Sequence, residues 1–150
     1  MSIFTLDILL VEDSRSDVEL FMLAHQVNGS AATIRVARDG MEAVEALHSD
    51  KSRPGDAPNV LPRLVLLDLN MPRLNGFEVL KRLRADERTR QLPVVIFSGS
   101  DQRSDMLEAE RLGANGYVRK PVEFENLCAT LAQFERDWLS ADLAPLHPTG

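Results

Sequence analysis

Acidic, hydroxyl and lysine side chains follow four short apolar segments of the sequence. Glu12 and Asp13 follow ILLV, Asp68 follows LVLL, Ser98 follows VVIF, and Lys120 follows YVR. Three carboxylates that meet at one place repel one another unless a cation lies among them, and oxygen ligands that keep several waters suit Mg²⁺. A carboxylate beside such a cation can attack phosphorus. These residue types therefore predict a metal-assisted site for phosphate chemistry.

The elements that must position these side chains are five short β-rich segments. They alternate with segments of helical periodicity and lie at residues 8–11, 33–37, 64–67, 94–97 and 117–119. Three of them are continuously apolar, as strands buried on both faces of a parallel sheet must be. The alternation predicts an α/β fold with a doubly wound five-stranded parallel sheet. Because ligands bind at the carboxyl ends of such strands, we expect the polar side chains at one edge of the sheet.

Helix-capping residues mark the segments between the predicted strands. Ser14 and Asp17 have the spacing of a capping box, Asn75 can cap the helix that follows it, and Ser100 can cap a helix that ends at Gly113. A last helix is predicted over residues 122–140. Residues 49–62 contain three prolines and a glycine, and this longer connection predicts a surface insertion.

Length, charge and cysteine content limit the number of domains and the kinds of partner. The 150 residues, 44% of them hydrophobic, suit one domain, predicted over residues 1–140, with a short tail at 141–150. The net charge of −6 disfavours a nucleic-acid partner. Cys128 is the only cysteine, and neither a signal peptide nor an apolar run of about 20 residues occurs. We therefore expect a cytoplasmic protein that binds neither nucleic acid nor membrane.

Four motifs, LLVEDS, LLDLNMPRLNG, VVIFSGS and YVRKP, resemble in type and order those of the receiver domains of two-component signalling. The resemblance covers about residues 5–140, and the intervals of 30 residues from Asp68 to Ser98 and 22 from Ser98 to Lys120 are similar to those of receivers. It implies a flavodoxin-like sheet of order 2-1-3-4-5 flanked by five helices. It also implies a single-domain response regulator, not an enzyme, that is phosphorylated by a sensor histidine kinase.

The resemblance assigns roles to the residues that surround the metal ion and the phosphoryl group. Asp68 is similar to the phosphoacceptor aspartate of receivers. Glu12 and Asp13 are similar to the acidic pair that binds Mg²⁺, with Asp13 the more direct ligand. Asp68 itself and the backbone carbonyl of Asn70 would complete the protein's metal ligands.

Three further residues resemble those that sense the phosphoryl group. Lys120 would pair with a phosphoryl oxygen, and Pro121 leads us to expect a cis peptide bond that fixes the direction of the lysine. Ser98 resembles the switch hydroxyl and Tyr117 the aromatic residue that turns inward. Serine stands where threonine is commoner, so the coupling to Tyr117 can be looser. Taken singly, each has another interpretation: a surface lysine, a helix cap and a half-buried strand residue.

Two other functions are compatible with parts of the pattern. LVLLDLN and VVIFSGS resemble motifs of an aspartyl-phosphate hydrolase of the haloacid dehalogenase type. That class uses an aspartate two residues after the nucleophile as a general acid, whereas position 70 is Asn, and its metal-binding acids follow the nucleophile, whereas Glu12 and Asp13 precede Asp68. A pseudo-receiver that is not phosphorylated is the second alternative, and the complete acidic set argues against it.

The insertion before LPRLVLLDLN, the ADERTRQLPVVIFS stretch and the FERDWL ending are similar to those of single-domain regulators associated with bacterial phytochromes. This resemblance implies a phytochrome histidine kinase as the phosphodonor and often a homodimer. A different sensor kinase can pair with the same receiver pattern.

The predicted last helix carries an apolar stripe that is longer than the sheet needs. The stripe consists of Phe124, Leu127, Leu131, Phe134 and Trp138. The apolar residues at or beyond the point where a receiver's last helix normally stops are Trp138, Leu139, Leu143 and Leu146. A monomer would expose this surface, so we predict a homodimer held by the C-terminal helix and tail. A frayed terminus with a few exposed leucines is the alternative.

Overall fold

The computed structural model describes residues 6–48 and 61–139. Its centre is a sheet of five parallel strands, namely β1 (Ile8–Val11), β2 (Ile34–Ala37), β3 (Leu64–Leu67), β4 (Val94–Ser98) and β5 (Gly116–Arg119). The strands lie in the order β2-β1-β3-β4-β5. The predicted α/β class and the implied order 2-1-3-4-5 are confirmed, and each predicted strand limit is within one residue of the observed one.

Five α-helices connect and flank the strands. They are α1 (Arg15–Val27), α2 (Gly40–His48), α3 (Gly76–Ala85), α4 (Arg103–Arg111) and α5 (Phe124–Phe134). A π-helical turn, Glu135–Leu139, continues α5. Within the described ranges, none of the helices combines the length and apolar character that a membrane span needs. The predicted surface insertion at 49–62 lies outside the described residues except for its last two positions.

The helices form one layer on each face of the sheet. Helices α1 and α5 cover one face through buried residues that include Phe21, Leu127 and Leu131. Helices α2, α3 and α4 contribute Leu47, Leu80 and other buried residues to the core on the opposite face. Strands β1, β3 and β4 are buried along their whole length because both faces are covered, which explains their continuously apolar sequences. Strands β2 and β5 form the edges and are partly exposed.

Two of the predicted helix caps are present. The Ser14 hydroxyl accepts a hydrogen bond from the backbone N–H of Asp17 at 3.3 Å and begins α1. The Asn75 side chain accepts from the N–H of Glu78 at 3.0 Å, and the Glu78 carboxylate accepts in return from the N–H of Asn75 at 3.1 Å. This reciprocal arrangement is a complete capping box, and it fixes the start of α3 directly after the loop that carries Asp68.

The predicted cap at Ser100 is wrong. Helix α4 begins at Arg103 with Gln102 as its N-cap residue. The Ser100 hydroxyl instead accepts from the N–H of Gln102 at 3.2 Å and donates to the Asp105 carboxylate at 2.6 Å, so it stabilises a turn that precedes the helix. The helix ends at Arg111, and Gly113, with a φ of +97°, lies just beyond that end.

The C-terminal apolar stripe packs against its own chain for longer than the sequence suggests. Leu139 is only 6% exposed, and the half-buried Trp138 packs against the core under α1 and α5. The expectation that these two residues are surplus to the fold is therefore wrong. The reason is that the π-helical turn widens the end of α5 and turns both residues toward the sheet. Leu143 and Leu146 lie outside the described residues.

A polar cluster ties this C-terminal turn to the amino edge of the sheet. The Arg63 guanidinium donates to the Asp7 carboxylate at 2.8 Å and to the backbone carbonyl of Leu139 at 3.1 Å. The Asp7 carboxylate also accepts from the N–H of Thr33 at 2.9 Å. The cluster thus joins the residues that precede β1, β2 and β3 to the end of the C-terminal helix.

Candidate functional site

The parallel register brings three acidic residues together at the carboxyl edge of the sheet. Val11 and Leu67 are paired across β1 and β3, and the N–H of Asp68 donates to the carbonyl of Val11 at 3.1 Å. The residues that follow the two strands are therefore neighbours. One carboxylate oxygen each of Glu12, Asp13 and Asp68 lies within 4.8 Å of the others. The structure thus brings together the three carboxylates that the sequence analysis placed at one edge.

Burial and backbone hydrogen bonds orient these carboxylates. Glu12 and Asp68 are 2% and 5% exposed, whereas Asp13 faces solvent. Oε2 of Glu12 accepts from the N–H of Ser14 at 3.0 Å, and Oδ1 of Asp68 accepts from the N–H of Leu69 at 2.9 Å. Each buried carboxylate therefore keeps one oxygen on the backbone, and its other oxygen faces the ammonium of Lys120 at the centre of the site.

Gly76, at the start of α3, allows the loop after β3 to close tightly behind Asp68. A Cβ atom at position 76 would lie 2.3 Å from the carbonyl oxygen of Asp68. The N–H of Gly76 donates to the carbonyl of Leu69 at 3.0 Å. Only a residue without a side chain permits this approach, so Gly76 helps to set the position of Asp68.

Lys120 places a positive charge among the carboxylates. Its ammonium donates hydrogen bonds to Glu12 and, at 2.9 Å, to Asp17, and it lies 3.6 Å from Oδ2 of Asp68. Its backbone N–H donates to the carbonyl of Ser98 at 2.8 Å, which fixes the start of the side chain. The expected cis bond before Pro121 is wrong: this peptide is trans, like the others in the described part of the chain. The pairing of β4 with β5 suffices to direct the lysine.

The electrostatics of the site favour a divalent cation. Burial raises the pKa of Glu12 to about 7, against the hydrogen bond from Lys120, and the negative charge of Asp68 adds to the rise. Burial alone would lower the pKa of Lys120, but the hydrogen bonds to Glu12 and Asp17 outweigh it and the pKa is raised. One ammonium therefore does not neutralise the cluster. Three converging carboxylates are hard oxygen ligands of the kind that Mg²⁺ prefers, and they fit such an ion.

Ser98 and Tyr117 lie on neighbouring strands beside the acidic cluster. Ser98 is fully buried at the end of β4, and its hydroxyl accepts from the N–H of Ser100 at 3.4 Å. Tyr117, on β5, is half-buried, and its hydroxyl donates to the carbonyl of Ser100 at 3.0 Å. The two side chains are thus connected through one residue, Ser100, of the β4–α4 loop.

Asn70 and Asp17 are two further polar residues near the acidic cluster. Asn70 lies in the loop after β3 with an exposed side chain and lines a surface cleft with Met71 and Phe77. Asp17, which binds Lys120, was interpreted from the sequence only as part of a helix cap. The signal that points to it is its place in the first turn of a helix that starts at the acidic edge, where a side chain can reach back over the strand ends.

The fold and the site together define a class of protein. The sheet is doubly wound and parallel, and its carboxyl edge holds a buried aspartate with two further acids, a lysine and a buried hydroxyl on separate strands or strand ends. These are the groups that a metal-assisted phosphoryl-acceptor site on a parallel α/β domain requires.

The chain belongs to the response regulator receiver domain family, which it matches over residues 8–132. It is 36% identical over 140 residues to the probable methanogenesis regulatory protein FilR2 of Methanothrix harundinacea, a match that covers 92% of this chain and 86% of FilR2. It is 30% identical over 138 residues to response regulator Rcp1 of Synechocystis, with 92% of each chain covered. The family is that of two-component signalling, and the hydrolase alternative finds no support.

Solved structures agree with this assignment. The chain superposes on the phosphorylated cyanobacterial phytochrome response regulator RcpA with a TM-score of 0.79 and 32% identity, over 91% of this chain and 96% of RcpA. It superposes on the Mn²⁺-bound form of Rcp1 with a TM-score of 0.74 and 30% identity, over 88% of this chain and 93% of Rcp1. The chain is therefore similar, along most of its length, to single-domain regulators of phytochromes.

Proposed function

We propose that Asp68 accepts a phosphoryl group from a sensor histidine kinase in a reaction that requires Mg²⁺. The observation that carries the proposal is the meeting of the Glu12, Asp13 and Asp68 carboxylates beside the ammonium of Lys120. Membership of the receiver family supports it. Residues 1–140 would form the receiver domain and residues 141–150 a short tail.

The reaction is a displacement at phosphorus. A carboxylate oxygen of Asp68 forms the new bond to phosphorus while the bond from phosphorus to the donor's imidazole nitrogen breaks, and the electron pair stays on the imidazole. Glu12, Asp13, Asp68 and the backbone carbonyl of Asn70 would hold Mg²⁺, which when bound would supply positive charge against the repulsion between Asp68 and the phosphoryl oxygens. Lys120 needs only a short movement from its place 3.6 Å from Asp68 to pair with a phosphoryl oxygen.

The signal leaves the site through Ser98 and Tyr117. In the structure the N–H of Ser100 donates to the Ser98 hydroxyl at 3.4 Å. In this proposal the Ser98 hydroxyl binds a phosphoryl oxygen after phosphorylation and releases that N–H. Tyr117 is bonded to the carbonyl of the same Ser100, so its position responds to the loop. The result is a changed surface around β5 and α4 that a partner protein can recognise.

The partners follow from the relatives. RcpA and Rcp1 are regulators that resemble this chain along most of its length, and RcpA is a phytochrome response regulator. We infer a sensor histidine kinase as the phosphodonor in the cytoplasm, and a phytochrome is the candidate that these relatives suggest. The output is a protein contact and not a reaction or a nucleic-acid complex.

A homodimer through the C-terminal helix and tail is part of the proposal. Trp138 packs partly on the core, yet it also lines an apolar groove with Val118 and Gln133 beside the edge strand β5. An edge strand with an adjoining apolar groove is a surface that a second chain can cover. The dimer proposal is thus supported by this groove. It is not supported by Trp138 and Leu139 being surplus to the fold, which the sequence predicted and the structure contradicts.

Intact-mass analysis after incubation with acetyl phosphate tests the phosphoryl acceptor. We expect the mass increase of one phosphoryl group with Mg²⁺, its loss after chelation, and its loss in Asp68→Asn. Asp137→Asn, an exposed aspartate on the far π-helical turn, is the matched control and should be modified normally. Modification that persists in Asp68→Asn would overturn the site assignment, and an unmodified wild type would favour the pseudo-receiver.

A further inference from the structure

The ammonium of Lys120 contacts Asp17, a residue that takes no part in the proposed phosphorylation chemistry. Besides Glu12 and Asp68, it binds Oδ2 of Asp17 at 2.9 Å. Asp17 lies in the first turn of α1, and its own N–H donates to the Ser14 hydroxyl, so its backbone is fixed by the helix cap. Its carboxylate is outside the group of three acids that can share a metal ion.

Two of the three donors of the Lys120 ammonium are already engaged. Its side chain is 18% exposed and lines a small cleft between α1 and α5 together with Phe21, Phe97 and Leu127. An ammonium donates three hydrogen bonds, and the carboxylates of Glu12 and Asp17 take two of them. The 3.6 Å separation from Oδ2 of Asp68 is longer than a hydrogen bond. In this arrangement the two hydrogen bonds of the lysine go to Glu12 and Asp17, and Asp68 has only a longer ion-pair contact with it.

We propose that Asp17 is a positioning residue that holds Lys120 in the unphosphorylated protein and competes with the phosphoryl group for its ammonium. This inference rests on the proposed function, because it needs Lys120 to pair with the phosphoryl group on Asp68. The bond to Asp17 stabilises the resting arrangement, and it must break or lengthen before the ammonium reaches a phosphoryl oxygen. Asp17 therefore sets part of the free-energy difference between the two states.

Binding of beryllofluoride, a phosphoryl analogue, measures this competition. With Mg²⁺ present, we expect Asp17→Asn to bind beryllofluoride about three- to tenfold more tightly than the wild type, because a half-exposed ion pair of the lysine no longer has to be broken. Fluorine NMR of the bound analogue gives the dissociation constants. Glu19→Gln is the matched control: it removes one exposed carboxylate from the same helix, 3.9 Å from Arg15, and should leave the constant unchanged.

A second measurement reports on the lysine itself without metal or analogue. Nitrogen-15 NMR of the Lys120 ammonium should show faster proton exchange with water in Asp17→Asn than in the wild type, and no change in Glu19→Gln. Unchanged exchange and unchanged affinity in Asp17→Asn, weaker binding, or an equal gain in Glu19→Gln would overturn the role of Asp17. A wild type that fails to bind beryllofluoride would instead contradict the proposed function.

Discussion

Ser98 is the residue at which phosphorylation and output can be separated. Its hydroxyl is buried at the end of β4 and is not the nucleophile. We expect Ser98→Ala to retain much of the phosphorylation measured by intact mass, but to weaken the effect of phosphorylation on self-association measured by light scattering. Ser98→Thr keeps the hydroxyl and is the control that should retain the coupling. Full coupling in Ser98→Ala would leave Ser98 with a purely local role.

Gly76 is the residue at which packing controls the site. In Gly76→Ala the new methyl would meet the Asp68 carbonyl oxygen at 2.3 Å, so the loop must shift. We expect a loss of about 1–3 kcal/mol in the free energy of unfolding, measured in urea, and slower phosphorylation of Asp68. Gly99→Ala is the control, because a Cβ there meets nothing within 4 Å in the described structure. Equal effects of the two changes would contradict the steric explanation.

Residue types at strand ends made most of the site predictable from the sequence. Glu12, Asp68 and Lys120 directly follow apolar or strand segments. The register of a parallel sheet then brings the ends of these strands, and so these side chains, to the same edge. Asp17 was not found in this way, because an acid in the first turn of a helix is already accounted for by the cap and the dipole. Its contact with Lys120 depends on how α1 packs, which no local pattern encodes.

At the scale of the helix, Asn75 and Gln102 show why one start was predictable and another was not. Asn75 caps α3 with its own side chain, a signal that the sequence carries. Gln102 is the N-cap of α4, yet in the described structure its side chain makes no capping hydrogen bond. Ser100, a better capping residue, is used by the preceding turn. The Ser100 hydroxyl also donates to the Asp105 carboxylate, and the Ser100 carbonyl accepts from Tyr117, so tertiary and turn contacts hold this residue outside the helix.

The two caps predict different costs of substitution. We expect Asn75→Ala to lower the free energy of unfolding by about 1 kcal/mol, because two backbone N–H groups at the start of α3 lose their partners or their partner's orientation. Gln102→Ala should change it by less than about 0.5 kcal/mol. Urea unfolding of both variants provides the comparison. A larger loss in Gln102→Ala would show that α4 has a cap that the structure lacks.

Asp7 links strand β1 to its neighbours in a way that depends on pH. Burial alone would raise its pKa, but the Arg63 guanidinium and the N–H of Thr33 outweigh burial and hold the pKa below 3.8. A lowered folded-state pKa adds stability above the unfolded value and loses it as pH falls through the folded value. Asp7→Asn should therefore lower the free energy of unfolding by about 1–3 kcal/mol near neutral pH.

The lowered pKa of Asp7 also predicts how the stability of Asp7→Asn compares with that of the wild type in acid. As the pH falls below 3.8, the wild type should lose stability faster than Asp7→Asn, so the difference between them shrinks. Urea unfolding at neutral pH and at about pH 3 measures it. A difference that is the same at both pH values would mean that the charge of Asp7 contributes nothing.

At the scale of the whole molecule, the dimer prediction needs a different truncation from the one that the sequence suggests. A chain that ends at Phe134 would lose Leu139, which is buried, and the bond from Arg63 to its carbonyl. A chain that ends at Leu139 keeps both contacts and removes only residues 140–150. We expect the full chain to be a dimer at micromolar concentration by light scattering, and the chain that ends at Leu139 to associate more weakly.

Circular dichroism of the shortened chain is the control for folding. A full-length monomer at that concentration would contradict the dimer, and a shortened chain that dimerises with unchanged affinity would contradict the role of the tail in it.

The order of the strands and the layers of this molecule followed from the alternation of segments and the receiver resemblance. The inward turn of Trp138 and Leu139 did not, because a π-helical turn shifts the faces of a helix without a sequence signal.

The Arg63 cluster also determines where a reporter can be attached. Through this one side chain, Asp7 just before β1 and the carbonyl of Leu139 are held side by side at the amino edge of the sheet. Asp68 is at the opposite edge, at the far end of β3 from Arg63, five residues or about 16 Å along the strand. A fluorescent domain or surface anchor joined directly before Asp7 or directly after Leu139 would therefore be attached on the side away from Asp68. Such a fusion would leave the carboxyl edge of the sheet, where Asp68 lies, open while it tethers the protein.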